Sequence, residues 1–243
     1  MSAWKKALAE AVTDIDELLS LLGLSRDQLP PLLDEHTDFA LRVPRDFVAR
    51  MVPGDAADPL LRQVLPVCEE TAEVEGFSGD PVDERRLTAA GGVLRKYRGR
   101  TLVVVSGACA INCRYCFRRH FPYAWSAALR AGWQDTVAAI AEDASCTEVI
   151  LSGGDPLAVD DRFLARLVAR LDGLPQLDRL RLHTRLPVTI PSRVTDELLA
   201  WLTATRLRPV VVMHINHANE IDGEVIIAMD RLRAAGVTLL NQS

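Results

Sequence analysis

The sequence predicts an α/β fold with a parallel sheet that follows a mainly helical N-terminal extension. From Thr101 onward, short apolar and β-branched runs alternate with amphipathic stretches of helical length, which is the pattern of right-handed βαβ units. These runs lack polar alternation, as expected for strands that are buried on both faces. Five runs fit either an open doubly wound sheet or an arc of a β/α barrel, and periodicity does not choose between them.

The predicted elements after residue 100 follow from this alternation. The strands are Thr101–Ser106, Glu148–Ser152, Arg179–His183, Pro209–Ile215 and Val237–Leu240. The helices between them are Ser126–Asp143, Asp160–Leu171, Thr195–Ala204 and Gly223–Ala235. In both candidate architectures, functional loops gather at the C-terminal ends of the strands. Nearly every run is followed there by polar or glycine-rich residues: 106–109, 152–155, 183–185, 214–217 and 241–243.

The first hundred residues read as short helices and irregular chain. Helical spacing predicts one helix that ends at Gly23, from the apolar residues Leu8, Val12, Ile15, Leu19 and Leu22. First-turn prolines predict two short helices, Pro44–Met51 and Pro59–Val64. The acidic, Gly- and Pro-containing stretch Glu69–Arg86 is then the predicted boundary between an extension, residues 1–86, and a core, residues 87–243.

The composition is that of a soluble globular protein. Of 243 residues, 49% are hydrophobic and 25% charged, and the net charge is −5, which excludes disordered and disulfide-scaffold classes. No apolar run reaches the roughly 18 residues of a membrane span, and Met1–Glu10 has no signal-peptide core. We therefore expect a cytoplasmic protein without a membrane partner. The acidic balance also argues against a general nucleic-acid binder.

Three of the five cysteines, Cys109, Cys113 and Cys116, follow the first predicted strand with the spacing C-x3-C-x2-C. Such spacing lets thiolates of one loop converge on a single inorganic centre. A zinc site with His120 as fourth ligand is one alternative, and simple core packing is another. Three thiolates on a four-iron cluster would leave one iron open for a ligand. Cys68 and Cys146 lack ligand spacing, and we expect them to be small buried hydrophobes.

Four motifs carry a resemblance to a known family. The segment Cys109–Cys116, with Tyr115 before its last cysteine, resembles the signature of radical S-adenosylmethionine (SAM) enzymes. Together with the cysteine-containing stretch Cys113–Tyr123, three later motifs resemble the lysine 2,3-aminomutase family: Leu151–Leu157, His214–Glu220 and Leu240–Ser243. Within that family, the sequence is most similar to the branch that makes (R)-β-lysine for elongation factor P. The resemblance covers essentially the whole chain.

The resemblance implies a fold, cofactors and a reaction. The fold is a partial (β/α)6 radical SAM barrel, and the cofactors are a [4Fe-4S] cluster on the three cysteines, SAM at the open iron, and pyridoxal 5′-phosphate (PLP). The implied reaction converts L-lysine to β-lysine through a 5′-deoxyadenosyl radical and PLP chemistry. An electron donor protein and the elongation factor P pathway are the implied partners, and a homo-oligomer is compatible with them.

The resemblance also implies roles for single residues. Arg118 matches the arginine that holds the substrate carboxylate, and Lys96 and Arg100 match basic positions near PLP. Around SAM, the matching positions are Ser152, Gly153, Gly154, Asp155, His214 and Gln242. The alternatives are a plain strand-to-helix turn at 152–155 and a solvated basic face for the nine Lys and Arg residues between Arg85 and Arg119.

Family members carry the PLP lysine and the carboxylates for the substrate ε-amino group beyond the Asn-Gln-Ser motif, where this sequence stops at Ser243. We therefore expect a C-terminally incomplete chain without the PLP-anchoring lysine. Within the family, a free-lysine or glutamate 2,3-aminomutase is the alternative. From another class, the alternative is a zinc-containing binding module whose basic stretch docks an acidic partner or nucleic acid.

Overall fold

A computed structural model describes residues 2–32, 39–84, 88–89, 92–121, 123 and 133–243, and one seven-stranded sheet organises them. The strands are β1 (Thr88–Ala89), β2 (Val93–Tyr97), β3 (Arg100–Ser106), β4 (Glu148–Gly153), β5 (Arg179–Thr184), β6 (Arg208–His214) and β7 (Thr238–Gln242). The pairs β1–β2 and β2–β3 are antiparallel, and β3 to β7 are parallel throughout.

The order of the strands decides between the two predicted architectures. Strands β3 to β7 lie side by side in chain order, without the reversal that defines a doubly wound sheet. Successive parallel neighbours in chain order form an arc of a β/α barrel. The partial barrel is therefore confirmed, and the open doubly wound sheet is wrong.

All five predicted strands are present, with ends that differ by at most two residues. The antiparallel strands β1 and β2 escaped the sequence analysis. Strand β2 reads VLRKY, and only its first two residues are buried. Because Arg95 and Lys96 follow its two buried residues, it lacks the β-branched run that identified the other strands.

The helices are α1 (Ala3–Ala9), α2 (Ile15–Leu22), α3 (Arg45–Val48), α4 (Gln134–Ala141), α5 (Asp161–Asp172), α6 (Leu186–Thr189), α7 (Asp196–Thr203) and α8 (Gly223–Ala234). The predicted helices before β5, β6 and β7 are confirmed as α5, α7 and α8. Part of the predicted helix Ser126–Asp143 lies outside the described residues, and α4 is the described part. The predicted segment Pro59–Val64 contains a short 3-10 helix, Leu61–Gln63.

The single helix predicted from Leu8 to Leu22 is wrong. Val12 instead forms an isolated antiparallel bridge with Val43, and this bridge separates α1 from α2. The Asp14 side chain then begins α2 by accepting a hydrogen bond from the Glu17 backbone N–H. Gly23 ends α2 with a left-handed backbone (φ 64°), as predicted.

Two groups of buried side chains form the core. One lies between the sheet and its helices and includes Val103, Leu151 and Leu182, together with Trp4 of α1. The other lies in the N-terminal extension and includes Phe47, as well as Ile111 from the loop that carries the cysteines. Trp4 of the extension thus packs in the core of the sheet, and Ile111 of the following segment packs in the core of the extension. Among the described helices, none is long and apolar enough to cross a membrane.

Leu182→Ala tests the sheet core. Leu182 is fully buried on β5, so its truncation should lower the free energy of unfolding by about 2–5 kcal/mol. Leu21 of α2 is 48% exposed and serves as the matched control. Leu21→Ala should change stability by at most about 0.5 kcal/mol in the same urea titration. Equal losses for the two variants would contradict this assignment of the core.

Candidate active site

A cavity of about 510 Å³ lies along one face of the sheet, and its lining includes every site residue predicted from the sequence. These residues are Lys96, Arg100, Cys109, Cys113, Cys116, Arg118, Ser152, Gly153, Gly154, Asp155, His214 and Gln242. Lining residues alternate along two neighbouring strands, as Arg100 and Leu102 do on β3 and Ile150 and Ser152 do on β4, so their side chains share one face. Sequence positions that span almost 150 residues thus meet at one site.

Strand β4 holds one side of the cysteine loop, residues 107–117. The Gly154 N–H donates to the Ser106 carbonyl at 2.6 Å, and the Asp155 N–H donates to the Ala108 carbonyl at 2.8 Å. A Cβ atom at Gly153 would lie 2.5 Å from the Ser106 carbonyl oxygen, and one at Gly154 would lie 2.6 Å from that of Ala108. The two glycines therefore allow the backbone of β4 to approach the loop closely.

The N-terminal extension holds the other side of the cysteine loop. The backbone N–H of Asn112 donates to the Arg42 carbonyl at 2.9 Å, and that of Arg114 donates to the Gln63 carbonyl at 2.8 Å. Glu70 forms ion pairs with Arg114 at 2.5 Å and with Arg119 at 2.8 Å. These two arginines of the basic run are therefore paired inside the molecule rather than forming a solvated basic face.

The chemistry of the cysteine thiols fits a cluster. Burial raises the pKa of the Cys109 thiol well above its ordinary value, and Asp155 raises it further. Burial also raises the pKa of Cys116. Without a cation, the thiolate forms of these groups are costly here, and bound iron would compensate them. The Cys113 sulfur already accepts a hydrogen bond from Arg185 at 2.8 Å.

The described residues contain no group of three or more His, Cys, Asp and Glu side chains that could hold a single metal ion. A [4Fe-4S] cluster differs from such a site because each cysteine binds a different iron atom. His120, the fourth ligand in the zinc alternative, is exposed and is not part of the cavity lining. The geometry thus brings the three cysteines to one cavity without bringing His120 to it.

Arg118 is buried in the cavity wall, and four of its five guanidinium N–H groups donate hydrogen bonds within the protein. Its Nε and one terminal nitrogen donate to the two carboxylate oxygens of Glu84, at 2.7 and 2.8 Å. The other terminal nitrogen donates to Ser152 Oγ at 2.9 Å and to the Gly153 carbonyl at 3.2 Å. Sequence analysis missed Glu84, because nothing in its local sequence distinguishes it from the other acids of that stretch.

Asp155 joins the ends of β4 and β5. One carboxylate oxygen accepts from the Leu157 N–H at 2.9 Å and from Thr184 Oγ1 at 2.7 Å. The other accepts from the backbone N–H groups of Arg185 at 2.8 Å and Leu186 at 3.0 Å. Burial nevertheless raises the pKa of this carboxyl. Its acceptor positions are used within the protein, and the contact with SAM expected from the sequence stays a prediction.

A buried arginine at the end of β5, Arg185, connects the cysteine loop to the rest of the site. One terminal nitrogen donates to Cys113 Sγ at 2.8 Å and to the Tyr115 hydroxyl at 2.7 Å. The other donates to Gln63 Oε1 at 2.5 Å and to Glu220 at 3.0 Å. Burial would lower the pKa of Arg185, but Cys113, Tyr115 and Glu220 outweigh it and raise that pKa.

Of this network, only Arg185 and Glu220 could be anticipated from the sequence, because both follow predicted strands. Gln63 carries no such signal, since it lies in the irregular N-terminal extension. Its amide donates to Glu220 at 3.0 Å and links the extension to the loop after β6. The backbone N–H groups of Asn216 and His217 also donate to Glu220, at 2.9 and 3.1 Å.

Two histidines at the strand ends line the cavity. Burial lowers the pKa of both His183 and His214 to about 4, and Arg181 and Arg185, respectively, lower it further. Both imidazoles are therefore neutral near pH 7 and able to donate one hydrogen bond and accept another. The His214 ring packs edge-on against Tyr115, with ring centroids 5.5 Å apart.

The opposite end of the cavity is basic. Lys96 and Arg100 are exposed and lie where β2 turns into β3. Arg100 pairs with the buried Glu148 at 3.2 Å, and Glu148 also pairs with Arg179 at 3.1 Å and with Arg181. Burial alone would raise the pKa of Glu148, but the arginines lower it. Three arginines thus surround one carboxylate and leave excess positive charge.

Comparison with known proteins supports a cluster-binding site. A family described as "4Fe-4S single cluster domain" matches residues 97–178, which include the three cysteines of the loop. The chain is 46% identical to the L-lysine 2,3-aminomutase of Haemophilus influenzae, over 99% of this chain and 71% of that protein. It is also 46% identical to the L-lysine 2,3-aminomutase of Escherichia coli K12, over 99% of this chain and 70% of that protein.

A glutamate 2,3-aminomutase of Clostridioides difficile is 31% identical, over 99% of this chain and 57% of that protein. The barrel arc, the three-cysteine loop and the cluster-domain match together define a radical SAM protein with an iron–sulfur cluster. The chain belongs to the L-lysine 2,3-aminomutase family, and it is an isomerase of that class. The resemblance found in the sequence motifs is thereby confirmed at the level of the family.

Gly153→Ala tests the contact between β4 and the cysteine loop. The added Cβ would clash with the Ser106 carbonyl, and Gly153 has φ +123°, which L side chains rarely adopt. We expect a loss of about 2 kcal/mol or more in the free energy of unfolding. At Gly223, the first residue of α8, a Cβ would meet nothing within 4 Å. Gly223→Ala, the control, should change stability by less than about 1 kcal/mol.

Proposed function

We propose that the protein is a radical SAM 2,3-aminomutase that converts L-lysine to β-lysine. The observation that carries the proposal is that the cysteine loop and the buried Arg118 line one cavity. Two L-lysine 2,3-aminomutases are 46% identical to the chain, and this identity, well above the 31% of a glutamate 2,3-aminomutase, favours lysine as the substrate. Four other L-lysine 2,3-aminomutases are only 26–28% identical, so the argument rests on the first two. We further propose that the β-lysine serves the modification of elongation factor P, in the cytoplasm, with electrons from a donor protein.

In this proposal, Cys109, Cys113 and Cys116 hold the [4Fe-4S] cluster. The cluster and SAM, when bound, supply a 5′-deoxyadenosyl radical for hydrogen abstraction from the substrate. Strand β4 and the N-terminal extension hold the cysteine loop from two sides, so the thiols are positioned before iron binds. Ser152, Gly153, Gly154, Asp155, His214 and Gln242 line the same cavity and would surround SAM.

Arg118 would hold the substrate carboxylate. A guanidinium matches a carboxylate in geometry and charge, and burial strengthens such a pair. Glu84 and Ser152 fix the plane of the guanidinium, at 2.7–2.9 Å, and therefore fix the direction from which a carboxylate can approach it. A substrate that is already oriented when it binds loses less entropy on the way to the transition state, which lowers the barrier.

Lys96 and Arg100 would contact PLP, which supplies a carbonyl group for the transfer of the substrate amino group. The basic end of the cavity supports this part of the proposal. The positive charges of Lys96 and Arg100, which line this end, suit the phosphate group of such a cofactor. Arg179 and Arg181 lie behind them around Glu148. Neutral His183 and His214 at the other end add no charge to the site.

Cys113→Ala tests the metal site. After anaerobic reconstitution with iron and sulfide, the variant should lose the brown colour, most of the bound iron and all formation of 5′-deoxyadenosine, because one ligand of the cluster is missing. Cys146 is fully buried, outside the cavity lining, and provides the control. Cys146→Ala should keep the iron content of the wild type. Full iron binding by Cys113→Ala would refute the assignment of this ligand.

Arg118→Met tests the substrate site. Loss of a buried, charge-assisted contact costs about 2–5 kcal/mol, so kcat/KM for L-lysine should fall at least about 30-fold while the cluster remains. Arg162 is exposed on α5, and Arg162→Met should leave kcat/KM unchanged. The assay supplies SAM, PLP and dithionite and measures β-lysine by mass spectrometry. Faster turnover of L-glutamate than of L-lysine by the wild type would instead support the glutamate alternative.

A further inference from the structure

The guanidinium of Arg185 is shared between a cysteine sulfur and a buried carboxylate. It donates to Cys113 Sγ at 2.8 Å on one side and to Glu220 at 3.0 Å on the other. Arg185 is 5% exposed and Glu220 is fully buried. The charges of the pair therefore act in a medium of low dielectric constant, where their effect on a neighbouring thiolate is strong.

The geometry of this pair differs from that of the other buried arginines. Arg118 directs its Nε and one terminal nitrogen at both oxygens of Glu84, which is the arrangement that binds a carboxylate most strongly. Arg185 instead uses one terminal nitrogen for Glu220 and turns the other to Cys113 and Tyr115. Among the described residues, its buried Nε has no hydrogen-bond partner. Arg185 thus forms a single-nitrogen contact with Glu220 in place of the stronger two-nitrogen pairing, and its other terminal nitrogen donates to the Cys113 sulfur.

Hydrogen bonds to the ligand sulfurs, net charge and burial set the reduction potential of an iron–sulfur cluster. A cation that donates an N–H to a thiolate stabilises the reduced cluster, which carries one more negative charge, and so raises the potential. A carboxylate that offsets the cation has the opposite effect. Arg185 and Glu220 therefore act on the cluster in opposite directions.

We propose that Arg185 is a positioning residue that raises the reduction potential of the cluster through its hydrogen bond to Cys113, and that Glu220 limits this increase. The inference rests on the three-cysteine cluster of the proposed function but not on its substrate. Gln63 and Asn216 support the pair, since both donate to Glu220. Gln63 also accepts from Arg185, so the N-terminal extension contributes directly to this network.

The test is a redox titration of the reconstituted cluster, without SAM or lysine, in which dithionite supplies one electron per cluster and electron paramagnetic resonance measures the reduced form. In Arg185→Met, the ratio of reduced to oxidised cluster at a fixed potential should fall about tenfold, which corresponds to about 59 mV for one electron. Arg185→Lys keeps the positive charge but cannot donate to Cys113 and Glu220 in two fixed directions. The ratio of reduced to oxidised cluster should therefore fall less than in Arg185→Met. Glu220→Gln should increase the ratio.

Arg193 provides the matched control. It is fully buried, pairs with Asp161 at 2.8 Å and donates to the Leu157 carbonyl at 2.7 Å, and it is not part of the cavity lining. Arg193→Lys should lower stability to a similar extent as Arg185→Lys and leave the potential unchanged. If Arg185 contributes to stability alone, the cluster potential should be unchanged in Arg185→Lys as well as in Arg193→Lys.

Opposite shifts in Arg185→Lys and Glu220→Gln support the inference, even where Arg185→Met does not fold. Unchanged potentials in both, or shifts in the same direction, would overturn it. The titration is independent of turnover. If the wild type makes no β-lysine but the two variants show these opposite shifts, the proposed reaction is disproved and the inference stands. If the wild type turns over normally but both variants keep the wild-type potential, the inference is disproved and the proposed reaction stands.

Discussion

The close backbone contact between strand β4 and the cysteine loop is the constraint on which the site depends. The loop is irregular, so its buried N–H and carbonyl groups need partners outside it. Gly154 and Asp155 supply two N–H donors to Ser106 and Ala108 on one side, and this approach requires residues without a Cβ. The N-terminal extension supplies acceptors on the other side. The positions of the thiols are therefore set by the folded barrel and the extension together.

Two buried glutamates, Glu84 and Glu220, and the half-buried Glu70 balance the arginines around the cysteine loop. Glu70 pairs with Arg114 and Arg119, Glu84 with Arg118, and Glu220 with Arg185. Removing one partner of a buried pair leaves an uncompensated charge, which is costly in a medium of low dielectric constant. Glu70 and Glu84 precede the barrel in the chain, so the extension contributes charge to the site as well as packing. The part of the basic run that lies in and after the cysteine loop, Arg114, Arg118 and Arg119, is for this reason an internal feature, whereas Lys96 and Arg100 are exposed.

The sequence predicted what local patterns encode. β-Branched runs identified β3 to β7, and the cysteine spacing with the Gly153-Gly154 pair identified the cavity wall. The features that the sequence did not predict depend on contacts between segments that are distant in the chain. Strand β2 is hidden by its charged second half, and the choice between barrel and open sheet follows only from strand order. Gln63 and Glu84 reach the site from irregular chain, where no periodicity marks them.

The length of β3 separates the two ends of the cavity. Arg100 begins this seven-residue strand, and the cysteine loop follows its end, which at about 3.3 Å per residue places them roughly 20 Å apart. Between them, Leu102 and Ile150 line the wall with apolar surface. In the proposed reaction, a radical at the cysteine end would need protection from water, and these apolar walls would provide it. In the proposed reaction, the substrate and PLP together would occupy this middle section, with Arg118 holding the substrate carboxylate near the cysteine end and the basic residues holding the PLP phosphate at the other.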